Sequence, residues 1–221
     1  MSELDRGEIL SRVSEGKSLK GLDLSKANLV EVDLTGVSLK ECLLNGANFY
    51  GAILEKVDFS GADLRASDFY KADLQGARFV GASLSRSRFK DCDLCDSDLS
   101  DADLSNANLE WADLKNAKMS NANLERCNLY QANLKRANLT GCQCRGANFE
   151  NANLKEATLV RFEGQVCSFY RARLTSADLS GAKLDGANLK QAEVSGANFE
   201  GVSGLTDEQL EYARCSGAKG L

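Results

Sequence analysis

Large hydrophobic residues recur at every fifth position of the chain, from Leu19 to Phe199, with no insertion or deletion. Of these 37 positions 25 are Leu and eight are Phe, and the exceptions are Met119, Cys144, Gly164 and Val194. The residue two positions earlier is almost always small, and here the exceptions are Lys17, Leu22 and Phe162. A period of five matches neither the helix period of 3.6 nor the strand period of 2. The pattern is instead typical of short-repeat parallel β-helices.

Each five-residue unit reads as a small residue, a polar residue, a large residue and two more polar residues. The small and large residues are two positions apart, so on an extended segment both point inward and the residue between them points outward. The last two residues must then turn a corner. The second of them is Gly in 13 units and Asn in four, which suits the positive φ at the third position of a type II turn. Proline is absent from the chain, as expected for a backbone whose N–H groups enter a ladder.

Runs such as ADLSNANLEWADLKNA and ANLERCNLYQANLKRANL resemble the pentapeptide repeat proteins, whose consensus is A(D/N)LXX. The resemblance covers residues 17–203. It implies an all-β fold, a right-handed quadrilateral parallel β-helix (a β-solenoid) with four units, or 20 residues, per coil. The 37 units then predict about nine coils and a rod on the order of 45 Å long. We number the four sides by their first large residues, Leu19, Leu24, Leu29 and Leu34.

Three segments follow from this pattern: an N-terminal capping helix in 1–16, the repeat β-helix in 17–203, and a C-terminal capping helix and tail in 204–221. Open ends of a β-helix would pair with other chains, so repeat proteins close them with atypical caps. Ser2 with Asp5, and Thr206 with Gln209, resemble capping boxes. The first helix is expected to bury an apolar face and to stop at a glycine: Ile9, Leu10, Val13 and Gly16. Two interpretations stay open: both helices only cover the ends of the rod, or one of them also mediates dimerisation.

All eight Phe of the five-residue grid fall on two opposite sides, one and three. We therefore predict that Phe stacks on Phe in columns inside the rod. One coil is irregular, because Phe162 replaces a small residue and Gly164 replaces the next large one. We interpret this as an exchange of volume, in which Phe162 fills the space left by Gly164 and by the undersized Cys144 one coil earlier. A bulge for partner binding is the alternative.

The exterior carries one aromatic column at the corner of side three. Its members are Tyr50, Tyr70, Tyr130 and Tyr170, with Trp111 beside them. Aromatic residues are over-represented at protein interfaces, so these five residues form a candidate protein-interaction surface. Two other interpretations stay open: the Tyr rings cover the turn and the ladder, or they are a stacking platform for single-stranded nucleic acid.

Acidic residues are concentrated in the middle of the chain. Asp91, Asp93, Asp96 and Asp98, followed by Asp101 and Asp103, surround one coil, and Asp73, Asp93 and Asp113 align on side four. Local bonding to the backbone is one interpretation of these carboxylates. An acidic docking patch and a weak calcium site are the alternatives, although EF-hand spacing is absent. We include Asp73, Asp91, Asp93, Asp96, Asp98 and Asp113 in the candidate interaction surface and predict no metal and no cofactor.

The amino-acid composition excludes several classes of catalytic and metal site. The chain has no His, so Ser-His, Cys-His and His-metal sites are excluded, and no Gly-rich phosphate loop precedes a helix. Five of the eight Cys occupy the small interior position, which indicates reduced thiols inside the rod rather than disulfides or zinc ligands. No apolar segment suits a signal peptide or a membrane span. We therefore expect a cytoplasmic protein that is not an enzyme.

The predicted function is a rigid, non-catalytic scaffold that binds an unidentified protein, as a monomer or as a dimer through a terminal cap. No contact with membranes and no direct contact with nucleic acid are expected, since the net charge of -5 arises from 27 basic and 32 acidic residues. The family resemblance implies an alternative. Some members mimic B-form DNA, bind DNA gyrase or topoisomerase and confer resistance to quinolones or other gyrase poisons. The many exposed Lys and Arg weaken this alternative, because a DNA mimic needs a field of one sign.

Overall fold

The computed structural model describes residues 4–221, and in this part of the chain two helices enclose a long repeat region. Helix α1 spans Arg6–Ser14 and helix α2 spans Asp207–Cys215. Between them the β-structure consists of single-residue parallel bridges, each joining a residue to the one 20 positions later, from Asp23 with Leu43 to Lys183 with Ser203. A coil therefore contains 20 residues and four units. The predicted parallel β-helix is confirmed.

The five N–H groups of a unit have a repeating set of partners. In the unit around Leu64, the Leu64 N–H donates to the Ser83 carbonyl of the next coil at 2.7 Å, and the Ala66 N–H donates to Ser85 at 2.9 Å. The outward residue donates backward, as Ser83 does to Ala62 at 2.9 Å. Where the outward residue is Asp or Asn, its side chain usually accepts the N–H that follows the large residue, as Asp63 Oδ1 does from the Arg65 N–H at 3.3 Å. A proline at the large, corner, small or outward position of a unit would remove one ladder or turn bond, which accounts for its absence from these positions.

Every corner has the left-handed backbone conformation that the Gly and Asn residues predict. The second residue after each large residue has a positive φ, as in Gly36 at 70° and Asn106 at 59°. Many corners hold other residue types in the same conformation, among them Trp111 at 61° and the β-branched Val166 at 51°. This conformation is costly for a β-branched residue, so the surrounding ladder must impose it.

The predicted phenylalanine columns are confirmed. Phe49 stacks on Phe69 with ring centroids 4.8 Å apart, and Phe69 stacks on Phe89 at 4.7 Å. Phe59 and Phe79 form a second column at 5.0 Å. The two columns meet edge to face across the interior, for example between Phe69 and Phe79 at 6.0 Å and 89°. The rod is thus filled by packed side chains and contains an aromatic core in its N-terminal half.

The irregular coil is an exchange of volume, as predicted. Phe162 is fully buried and lies within 6.0 Å of the Phe149 and Phe169 rings. A Cβ atom on Gly164 would be 2.3 Å from Phe162 Cε1, far inside van der Waals contact. The Phe162 ring therefore occupies the space that a large residue at position 164 would need.

Helix α1 precedes the repeat region, and its apolar side chains pack against the core. Ile9 is fully buried, and Leu10 and Val13 contact the core, as predicted. The predicted capping box is wrong in position: Asp5 is the N-cap and pairs with Glu8, while Ser2 lies outside the described residues. Gly16 ends the helix with φ 67°, and its N–H donates to the Val13 carbonyl at 3.0 Å. Together with the bond from Lys17 to Arg12 this is a Schellman motif.

Helix α2 lies over the last coil. The predicted capping box of Thr206 and Gln209 is confirmed. The Gln209 amide donates to the Ala187 carbonyl at 2.7 Å, and the Tyr212 hydroxyl donates to the Ala192 carbonyl at 2.8 Å. After the helix the tail rejoins the ladder, where Lys219 pairs with Asn198. Neither helix among residues 4–221 is long and apolar enough to cross a membrane.

All eight cysteines are unpaired thiols. The five at the small interior position are buried, as predicted, and Cys144 on the grid is buried with them: Cys42, Cys92, Cys127, Cys142, Cys144 and Cys167. Several of these thiols donate to carbonyls of the ladder, such as Cys167 Sγ to the Cys144 carbonyl at 2.7 Å. Cys92 is buried and Cys95 is half-buried, so the C-x-x-C sequence does not form a paired site.

Candidate interaction surface

The predicted aromatic residues lie along one corner of the rod. Tyr50 and Tyr70, one coil apart, contact each other edge to face with centroids 5.7 Å apart. Tyr50 is 37% exposed, and Tyr70, Tyr130 and Tyr170 are half-buried. None of the four hydroxyl groups has a hydrogen-bond partner among residues 4–221, so each can still bond to a partner. We call Tyr50, Tyr70, Trp111, Tyr130 and Tyr170 the aromatic face.

Cations lie over three rings of the aromatic face. Lys90 Nζ is 4.2 Å from the Trp111 ring centroid, Lys71 Nζ is 5.2 Å from that of Tyr70, and the Arg171 guanidinium is 5.0 Å from that of Tyr170. Lys90 also forms an ion pair with Glu110 at 3.4 Å. The Trp111 indole N–H donates to Gln131 Oε1. These contacts hold Trp111 against the rod while 45% of its surface stays exposed.

Asp73, Asp93 and Asp113 are adjacent on side four, as predicted, since parallel bridges join each to the next. Each carboxylate accepts the N–H two residues later, at 3.1 Å from Gln75, 2.9 Å from Cys95 and 3.0 Å from Lys115. Amides of neighbouring coils supply further bonds, as Asn133 does to Asp113 at 2.9 Å. The interpretation of local backbone bonding is therefore confirmed for these three residues.

The remaining acidic residues around the middle coil differ in their surroundings. Asp96 accepts a hydrogen bond from the Asn116 amide at 3.0 Å. Asp98 accepts the Ser100 N–H at 3.2 Å and is 4.0 Å from Arg78. Asp91 has no bonding partner for its side chain in the described chain. It stands at the same corner as Trp111, one coil earlier, so it borders the aromatic face.

The structure thus brings some predicted site residues together and leaves others apart. Tyr50 and Tyr70 are in contact, while three coil steps separate Tyr70 from Tyr130, and two separate Tyr130 from Tyr170. The sequence analysis missed Ile53, which is 44% exposed at an outward position next to the corner of Tyr50. Asp or Asn usually stands at outward positions, so comparing residues 20 apart would have revealed it. The role of these residues as an interaction surface stays a prediction.

No group of three or more His, Cys, Asp or Glu in residues 4–221 is arranged to hold a metal ion. Cys95, beside Asp93, is the half-buried thiol nearest to the acidic residues. Burial, together with hydrogen bonds and repulsion from Asp93 and Asp113, raises the pKa of Cys95 to about 12. At neutral pH this thiol is protonated and therefore a poor nucleophile.

Comparison with known families identifies the repeat. The family model for pentapeptide repeats matches eight copies over residues 42–81, 82–121, 117–155 and 167–203. The chain belongs to the pentapeptide repeat family. Members of this family form right-handed β-helices and are generally structural or interaction proteins rather than enzymes. The family model does not match residues 156–166. This interval contains Phe162 at a position that is usually small and Gly164 at a position that is usually large.

Solved structures of other pentapeptide repeat proteins are similar to this chain. HetL, involved in heterocyst differentiation regulation in the cyanobacterium Nostoc, is 29% identical, with 90% of this chain and 97% of HetL covered and a TM-score of 0.49. QnrB1, a plasmid-mediated fluoroquinolone resistance protein, is 22% identical, with 91% of each chain covered and a TM-score of 0.36. A protein from the Arabidopsis thaliana thylakoid lumen is 25% identical, with 76% and 79% covered and a TM-score of 0.22. No curated protein sequence matches the chain.

Proposed function

We propose that this protein is a non-catalytic, rigid β-helical scaffold that binds a protein partner through the aromatic face. The observation that carries the proposal is the contact between Tyr50 and Tyr70, whose hydroxyl groups have no partner in the described chain, beside the exposed Ile53. Trp111 adds a second anchor, held by Lys90. Partly exposed aromatic rings on a rigid support lose little side-chain entropy when they bind, which is why such residues dominate interface energies.

Rigidity is the second part of the proposal. The stacked Phe columns and the ladder between coils fix the spacing of the surface residues at about 4.8 Å per coil. A partner would therefore meet the aromatic face in one geometry and would not have to order it first. The protein needs no cleft or reactive group for this role.

A pull-down from extracts of the source organism tests the aromatic face. The bait is the chain with Tyr50→Ser, Tyr70→Ser and Tyr130→Ser, compared with the unchanged chain. The matched control carries Leu43→Ser and Val166→Ser, which remove two exposed hydrophobic residues from side two. We expect the triple variant to lose partners that the control variant retains. An unchanged set of partners would remove the aromatic face from consideration.

A DNA mimic that binds DNA gyrase or topoisomerase is the second candidate, and the alignment of Asp73, Asp93 and Asp113 at the coil spacing favours it. Cations on the same side oppose it: Lys115 is exposed and Lys135 is half-buried, and neither side chain has a hydrogen-bond or ion-pair partner in the described chain. A gyrase supercoiling assay with the purified protein decides between the two. No inhibition and no protection at micromolar concentration would remove the mimic.

We further propose that the rod has about nine coils and that α1 and α2 act as its caps in a cytoplasmic protein. The buried Ile9 and the bonds of Gln209 and Tyr212 to the last coil support the capping role. Sedimentation equilibrium would distinguish a monomer from a dimer. If α2 forms the dimer interface, substitution of the exposed Tyr212 should abolish the dimer.

A further inference from the structure

A groove runs along the corner that follows side two, on a different surface from the aromatic face. Its volume is about 630 Å³, and residues of five successive coils line it, from Lys26 to Asn106. At about 4.8 Å per coil the groove is on the order of 19 Å long. Lys26, Arg65 and Arg86 are its charged residues, and none of its lining residues is acidic. We call this feature the basic groove.

Two of the three cations are free. The Lys26 and Arg86 side chains are exposed and have no hydrogen-bond or ion-pair partner among residues 4–221. Arg65 is paired, with Nε donating to Asp63 Oδ1 at 2.7 Å and Nη2 donating to Asp63 Oδ2 at 2.6 Å. The groove therefore carries an excess of positive charge on a protein whose net charge is -5.

The floor of the groove offers unused polar groups. Ser85 and Ser105 are half-buried, and their hydroxyl groups have no partner in the described chain. The Asn45 and Asn106 amides are likewise unpaired, unlike the Asn133 amide, which donates to Asp113 one coil away on side four. The Lys26 stem lies against Gly46, since a Cβ built on Gly46 would be at an ordinary contact distance of 3.5 Å from Lys26 Cγ. The lining thus combines cations with hydrogen-bonding groups over the length of about six extended residues.

We propose that the basic groove binds an extended acidic segment of a polypeptide partner. Carboxylates of such a segment would pair with Lys26 and Arg86, and its backbone would bond to the free Ser and Asn groups of the floor. No aromatic residue lines the groove, so it lacks the stacking platform that single-stranded nucleic acid uses.

Direct binding to the purified full-length chain tests the proposal by fluorescence anisotropy at low salt. The probe is a labelled decapeptide that alternates Asp and Ser. A decapeptide that alternates Asn and Ser, and a labelled deoxythymidine decamer, are compared with it. The test variant is Lys26→Asn with Arg86→Asn. Asn suits both positions, because Asn106 has the same left-handed conformation at the same corner.

The matched control is Lys56→Asn with Arg161→Asn, which removes two unpaired cations from left-handed corners of other sides. We expect the test variant to bind the acidic peptide about tenfold more weakly and the control variant to change by less than about twofold. Asp63→Asn should strengthen binding about threefold, because it frees Arg65 while keeping an oxygen for the Arg65 N–H.

Equal loss in the test and control variants, no binding of the acidic peptide, or tighter binding of the deoxythymidine decamer would each overturn the proposal. It rests on the scaffold function only in that the rod binds polypeptides. The binding assay uses purified components and leaves the aromatic face intact. A negative result in this assay is therefore distinguishable from a negative result in the pull-down.

Discussion

Among the single residues, Phe162 and Gly164 offer the sharpest test of how the interior is filled. Phe162→Ala should leave a cavity and destabilise the protein by about 3–5 kcal/mol. Gly164→Leu should also destabilise it, because its side chain would overlap the Phe162 ring, which lies 2.3 Å from a Cβ at that position. The double variant restores the repeat consensus and should be more stable than either single variant. Urea unfolding of the four proteins measures this coupling.

Additive losses in the double variant would contradict the exchange of volume. Phe49→Ala combined with Gly164→Leu is the control pair. It makes the same types of substitution at two sites that are not in contact. These two changes are several coils apart, so their effects on the free energy of unfolding should add.

Buried thiols should make the stability of the protein depend on pH. Burial raises the pKa of the thiols of Cys42, Cys92, Cys127, Cys144 and Cys167, the last to about 12. A pKa that is raised on folding stabilises the native state fully below the unfolded value near 8.5, and this stability is lost as the pH rises toward the folded value. We expect a decrease of about 1.4 kcal/mol per pH unit for each such thiol above about pH 9.

Urea unfolding between pH 7 and pH 10.5 measures this decrease. Cys167→Ala provides the comparison, because Ala is the commonest residue at the same position of other units. Its stability should fall less steeply with pH than that of the unchanged chain. Parallel curves would show that the Cys167 thiol does not contribute.

At the scale of elements, α2 should protect the last coil from pairing with other chains. The Ala187 and Ala192 carbonyls face the C-terminal end of the rod, and Gln209 and Tyr212 bond to them. Gln209→Ala with Tyr212→Phe should cost about 2 kcal/mol in total, since each lost hydrogen bond leaves a carbonyl unpaired. Hydrogen exchange should show faster opening of the last coil, and sedimentation should show association at high concentration. Unchanged exchange there would mean that other contacts of α2 close the end.

The elements also show how far the sequence determines the structure. The β-helix and its phenylalanine columns were predictable, because one register repeats through the whole of 17–203 and places the same positions inside. The start of α1 was not, because Ser2 with Asp5 and Asp5 with Glu8 are overlapping capping patterns. Only the second ends in Glu, whose longer side chain reaches back to the N-cap N–H at 2.8 Å.

The candidate surfaces were less predictable than the fold. Tyr50 and Tyr70 could be placed together because they are 20 residues apart. The contact of Lys90 with Trp111 depends on side-chain rotamers that no repeat position dictates. The basic groove depends on which polar groups, such as the Ser85 and Ser105 hydroxyls, stay without a hydrogen-bond partner. Whether a group stays unpaired depends on all the side chains around it, which the sequence pattern does not specify.

At the scale of the whole molecule, the rod is nearly one-dimensional, since each coil contacts only its neighbours. Stability in such a solenoid is close to a sum of coil and interface contributions, so the ends can fray while the middle stays folded. Leu24 and Leu104 offer a matched comparison: both are fully buried on side two, Leu24 near the N-terminal end and Leu104 in the middle. In both cases substitution by Ala removes the same side chain from the same type of site.

Leu104→Ala should therefore lower the free energy of unfolding by about 2–5 kcal/mol, because the middle of the rod cannot open without breaking the interfaces on both sides. Leu24→Ala should shift the main urea transition less, since the first coil can open with α1 and leave the other coils intact. Hydrogen exchange would then show lost protection before about residue 40 in Leu24→Ala, and a smaller loss spread over many coils in Leu104→Ala. Equal shifts of the main transition would mean that the ends and the middle unfold as one cooperative unit, and that α1 couples the first coil to the rest as tightly as the phenylalanine columns couple the interior.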